Sequence, residues 1–177
     1  MWEDSMISET LKKKIISYYN ERVKFAREYY KDHKLLRFNV VNSYSLRFTN
    51  HKSYVGQCNG KDRTIDLSLY YLRYMTWDGI ADVINHELAH WIDDRDVHGA
   101  YWKAAAVVMG ANPTRLVQHD HMSRPWLIMF GDEIVGTSEE DIKDIGGRYI
   151  RRRKKETLGN LTCVPNPDSI DNSIYGE

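Results

Sequence analysis

No segment of this sequence restricts the fold more than His86-Glu87-Leu88-Ala89-His90. Ile80, Ile84, Leu88 and Trp91 recur through it at three- and four-residue spacings, the period of a helix with one apolar face. On such a helix each residue advances by about 100°, so His86 and His90 lie about 40° apart and one turn from each other. Two imidazoles placed in this way can close on one metal ion. Glu87 is rotated by about 60° from His90, which suits a base beside the metal better than a third ligand. It stands at the border of the apolar stripe, where partial desolvation raises its proton affinity and fits it for general-base work. The competing reading is a helix with two surface histidines and an exposed glutamate. The first reading requires a helix with one side in a core and the other facing a cleft.

Two histidines and a water leave a tetrahedral metal one protein ligand short. His98 follows His90 by eight residues and precedes Gly99 and a helical segment containing Trp102. The short loop over residues 93–97 can return the chain so that His98 faces the pair. Asp93, Asp96, His119 and His121 are rivals for the third position, although three imidazoles suit zinc well. His119-Asp120-His121 also reads as a polar loop. The spacing excludes a metzincin arrangement, which needs Gly at position 93 and His at position 96; both are aspartate here. For an oxyanion donor the sequence offers only Tyr101 or a backbone amide.

Around this centre the pattern predicts an α+β chain. Ile7, Leu11, Ile15, Tyr18, Tyr19, Ala26 and Tyr29 or Tyr30 mark one long amphipathic helix over residues 7–32. Residues 36–48, 53–58 and 63–67 are rich in strand formers and predict a small antiparallel sheet, with Asn59-Gly60 as a turn. The metal-site helix then spans residues 79–92, capped by Asp78 or Thr76. A third helix spans residues 100–109 and is closed by Gly110, with Pro113 beyond it. After residue 118 the character changes. Short strands are expected over residues 126–135, 148–151 and 157–164, around an acidic stretch at 138–144. Residues 165–177 are polar and are expected to be disordered.

With these elements in place, His86-Glu87-Leu88-Ala89-His90, seven further residues, and His98-Gly99-x-x-Trp102-Lys103 resemble the SprT-like family, which includes the Spartan proteases. Gly56-x-Cys58 and Ile65-x-Leu67-Ser68 are similar to that family's strand before the active-site helix. The resemblance spans roughly residues 7–116. It implies a zincin-like metallopeptidase domain over residues 1–118, with one zinc ion per chain held by His86, His90 and His98. It also implies Glu87 as the catalytic base on a zinc-bound water. Bacterial relatives often carry a four-cysteine zinc ribbon near the C-terminus, whereas this chain has only Cys163 there. Residues 119–164 are read by analogy as a metal-free counterpart, supported by Trp126, Tyr149 and Ile150.

Composition bounds the partners. Twenty-five basic and twenty-five acidic residues give no net charge, so only local clusters can select a charged partner. The one strong cluster runs from Arg148 through Arg151, Arg152, Arg153, Lys154 and Lys155. Such a run either holds nucleic-acid phosphates through counterion release, with Tyr149 or Trp126 stacking on a base, or is a solvated strand end. The family resemblance favours DNA, because Spartan-type relatives act on DNA-bound proteins. The expected partners are therefore a protein substrate and DNA, and no membrane. Two cysteines and an acidic start without an apolar run lead us to expect a cytoplasmic, non-secreted protein. Two alternatives stay open: a non-catalytic zinc-stabilised DNA-binding or adaptor module, and a metallopeptidase with one dedicated substrate and no nucleic-acid role.

Overall fold

In the computed structural model, which describes residues 7–33, 44–114 and 123–173, Ser8 opens helix α1 (Glu9–Tyr30) by accepting the Leu11 N–H at 3.2 Å. The helix buries Ile15, Tyr19, Ala26 and Tyr30, so the choice between Tyr29 and Tyr30 falls to Tyr30; Tyr29 is exposed. Residues 36–43 of the expected strand region, together with His119 and His121, lie outside the described residues.

The first sheet contains β1 (Ser45–Thr49), β2 (Gly56–Asn59) and β3 (Thr64–Ser68), in the order β1-β3-β2. The β2–β3 pairing is antiparallel, and its turn uses Asn59 as expected: the Asn59 Oδ1 accepts the Asp62 N–H at 3.0 Å. The β1–β3 pairing is parallel, which corrects the wholly antiparallel sheet expected from the sequence. Strand content can be read locally, but strand direction depends on where the crossover lies. One turn of helix, α2 (Leu69–Leu72), leads from β3 to α3 (Trp77–Ile92). Thr76 caps α3 by accepting the Gly79 N–H at 3.2 Å. Its buried face carries Ile80, Val83, Ile84, Leu88, Trp91 and Ile92 against the sheet, α1 and α4 (Ala100–Met109). At about 1.5–3 kcal/mol per buried large apolar side chain, this stripe fixes how α3 is rotated.

A second sheet, order β5-β4-β6, follows: β4 (Trp126–Phe130), β5 (Glu133–Ser138) and β6 (Leu161–Pro165), antiparallel throughout. Residues 148–151, expected as a strand, do not form one. The chain instead winds through a 3-10 turn (Arg151–Arg153) into helical turn α5 (Lys154–Thr157). The cause is Thr157, which is fully buried and whose hydroxyl donates to the Arg153 carbonyl at 2.8 Å and accepts the Ile150 N–H at 2.9 Å. These local bonds outweigh the strand preference of Tyr149 and Ile150.

The C-terminal segment also departs from expectation. Residues 166–173 dock instead of being disordered. The Asn172 side-chain amide donates to the Leu72 and Met75 carbonyls at 2.9 and 2.8 Å, its N–H donates to the Arg73 carbonyl, and its own carbonyl accepts the Ser8 N–H. Asp171 pairs with Arg73 through two bonds of 3.0 Å. Polar composition predicts solvation, but here the polar groups find backbone partners. No helix among the described residues is long and apolar enough to cross a membrane.

Candidate metal centre

Helix α3 delivers three of the four expected groups from one face. The C-cap at Asp93 adopts an extended conformation (φ −140°), ending the helix directly after Ile92. The chain then turns back through residues 94–97, and His98 takes a left-handed conformation (φ 62°). A non-glycine residue in that region is uncommon and is associated with functional constraint. The result is convergence: His98 Nε2 lies 3.2 Å from His86 Nε2 and 3.1 Å from His90 Nε2. The ligand atoms of all three lie within 4.8 Å of one another.

This spacing can be tested against a metal. Two imidazole nitrogens about 2.0–2.1 Å from a tetrahedral zinc lie about 3.3 Å apart, close to both distances. Hydrogen bonding alone does not satisfy the group. Burial, reinforced by the neighbouring imidazoles, pulls His86 and His90 down to about 4, so both rings are neutral near pH 7. A neutral imidazole has a single N–H, and His98 Nε2 faces two others at once. One cation satisfies all three lone pairs, so these residues could hold a metal ion.

Trp102 supports the triad from beneath. Fully buried on α4, its ring lies 4.6, 5.3 and 4.7 Å from the rings of His86, His90 and His98. In the sequence Trp102 shows only as part of the motif after His98; its place against the three rings comes from packing. Asp96, a rival for the third ligand position, acts elsewhere. Its carboxylate accepts the N–H groups of Tyr101 and Trp102 at 3.1 and 2.9 Å, capping α4 from three residues before the formal cap, Gly99. A Cβ on Gly99 would lie 2.2 Å from Asp96 Oδ2, so glycine is required for this cap. Asp93, the other described rival, is held by Arg95, with Nε at 2.8 Å from Oδ1, and this pairing keeps its carboxyl below the usual range. Arg95 also covers Tyr101 at 3.9 Å, and Tyr101 is absent from the cleft wall, where Tyr44 and Tyr54 stand instead.

A polar tie fixes α3 from behind. Arg22 on α1 donates to Asn85 Oδ1 at 3.1 Å and to the Met109 carbonyl at 2.7 Å, and buried Asn85 donates to the Tyr18 hydroxyl at 2.9 Å. Nothing in the sequence pattern of α1 singles out Arg22, and only the packing of three helices shows its role. It also satisfies a carbonyl at the C-terminal end of α4.

Glu87 lines the same cleft as the histidines, a cavity of about 540 Å³. Only 7 % of its surface is exposed. Burial pushes its carboxyl up to about 8, with the nearby Cys58 backbone amide pulling the other way. A carboxylate with raised proton affinity beside three histidines that could hold a metal ion can accept and return a proton.

The basic run divides. Arg153 pairs with Glu133 at 2.8 Å and Glu156 at 3.3 Å and lies over Phe130. Arg148, Arg151, Arg152, Lys154 and Lys155 are exposed, with Lys154 4.7 Å above the Tyr149 ring. Cys58 and Cys163 are unpaired.

The sequence profile of the SprT-like family matches residues 13–121, more than half of the chain and all of α3, His98 and α4. No curated protein and no solved structure matches it. The α+β architecture, with its long first helix, small sheet and histidine-bearing helix, is compatible with the zincin-like domain that the sequence implied. The chain belongs to the SprT-like family.

Proposed function

We propose that this protein is a zinc-dependent peptidase that hydrolyses peptide bonds in protein substrates, with Glu87 as its general base. The observation that carries the reading is the convergence of three ring nitrogens in a cleft that also holds a buried carboxylate. His86, His90 and His98 would hold the ion; zinc, when bound, supplies Lewis acidity toward a carbonyl and toward water. Glu87 takes the proton of the attacking water and returns it to the departing amine. Its burial keeps its proton affinity near the value such a shuttle requires. Trp102 and the Asp96 cap hold the histidines, and the Cys58 N–H orients the carboxylate. An adaptor that kept zinc only for structure would have no use for a buried carboxylate in the cleft.

We further propose that the substrates are DNA-associated proteins. Support comes from Arg148, Arg151, Arg152, Lys154 and Lys155, five exposed cations within eight residues, as counterion-releasing phosphate contacts. The β4–β5–β6 sheet then serves as the metal-free counterpart of a zinc ribbon, and the unpaired cysteines accord with a reducing, cytosol-like compartment. The test is cleavage of an unfolded protein by wild type and Glu87→Gln. The variant is expected to keep its zinc and lose about 100- to 10,000-fold in rate. Equal cleavage by both ends the assignment of Glu87.

A further inference from the structure

Helix α3 and the edge strand β2 come together at Gly56. A Cβ on Gly56 would lie 2.6 Å from Val83 Cγ1, 2.9 Å from Glu87 Cγ and 3.1 Å from Glu87 Oε1. Val83 and Glu87 are one turn apart on α3, so the bare backbone of Gly56 rests on both. The Val55 carbonyl faces β3, where it accepts the Ser68 N–H at 2.8 Å. Hydrogen-bonding groups alternate along the strand, so the backbone groups of Gly56 and Cys58 turn away from β3, and both residues line the cleft together with Glu87.

We propose that β2 forms a backbone cradle for Glu87, in which Gly56 is a positioning residue: its missing side chain lets the strand approach until the Cys58 amide grips the carboxylate. The inference rests on Glu87 serving as the base. Of the two groups that a methyl at position 56 would strike, Val83 is β-branched on a helix and has one strongly preferred rotamer. Glu87 has several, so Glu87 gives way, or the strand lifts. In either case the carboxylate moves away from the Cys58 amide, while the three histidines, none of which is among the atoms nearest to that methyl, keep their places.

Gly56→Ala, Val83→Ala and the double variant separate this role from simple packing. Val83→Ala removes the stiff contact and leaves the clash with Glu87. The double variant is therefore expected to regain the melting temperature that Gly56→Ala loses, but not its kcat. Relative to Val83→Ala, its kcat should stay down by about 100-fold, with KM within about threefold and zinc content unchanged. A readout independent of activity is the Cys58 amide proton resonance, which Gly56→Ala should move upfield as Glu87→Ala does. The proposal is overturned if the double variant matches Val83→Ala in kcat, or if the Cys58 amide of Gly56→Ala keeps its wild-type position. A wild type that cleaves nothing removes the peptidase reading instead, while the amide measurement still decides whether the cradle exists.

Discussion

Replacing Asp96 with alanine is expected to weaken zinc binding although Asp96 is not a ligand. Its two oxygens accept the Tyr101 and Trp102 N–H groups at 3.1 and 2.9 Å, doing at the N2 and N3 positions of α4 what a cap side chain would do if Gly99 had one. Between this cap and α3 lies His98, held at φ 62°, a conformation that costs about 1–3 kcal/mol for a non-glycine residue and persists only where its surroundings enforce it. Loss of an acidic cap costs about 1–2 kcal/mol, with the favourable field of the helix N-terminus lost as well. If that ordering must then be supplied by the metal, Kd rises by about 5- to 30-fold. Asparagine has a single acceptor oxygen and no charge, so Asp96→Asn can keep only one of the two bonds and should fall between Asp96→Ala and wild type. The assay is competition for zinc against a chelating dye, with all three proteins at one pH. An Asp96→Ala affinity equal to wild type would show that the metal alone orders the loop, and the preorganisation argument would fail.

Further outcomes follow from other contacts. In metal-stripped protein, burial holds His86 and His90 at about 4 against an ordinary 6.5, and Glu87 at about 8 against 4.5. Between pH 4.5 and 6.5 the unfolded chain gains two histidine protons and lacks one on Glu87, so stability rises with pH. Between 6.5 and about 8 only the folded-state proton on Glu87 remains, so stability falls. Urea melts should therefore peak near pH 6.5, with the alkaline decline absent in Glu87→Gln; a decline of equal size in the variant refutes the assignment. Asn172→Ala strips the partner from the Leu72 and Met75 carbonyls and is expected to cost about 1–3 kcal/mol in urea unfolding; no change would mean the C-terminal segment docks without holding. For DNA binding, each of Arg151→Ala and Arg152→Ala should flatten the salt dependence by about one counterion. Arg153→Ala should leave it unchanged, because Glu133 and Glu156 already hold that guanidinium; equal effects at all three would deny the division.

What the sequence discloses here is what repeats along one element. The apolar stripe of α3 and the four-residue spacing of His86 and His90 are set by helix geometry, and both stand in the structure as read. His98 was legible as the next imidazole after a short loop, although its left-handed backbone was not. Roles made by meetings between distant segments were hidden. Arg22 reaches Asn85 across 63 residues, Asn172 reaches Leu72 across 100, and the direction of β1 depends on a crossover. Asp96 escaped for a different reason: capping is sought at the residue bordering the helix, and that residue is Gly99. Its signal was the pair itself, an acid three residues before a glycine that opens a helix.

The central claim, a zinc ion on His86, His90 and His98, is tested most directly by elemental analysis of protein purified without added metal, wild type beside His98→Ala. The account predicts about one zinc per wild-type chain, as a three-histidine site requires, and a clear loss in the variant. Wild-type protein that carries no zinc, even after reconstitution, would contradict it.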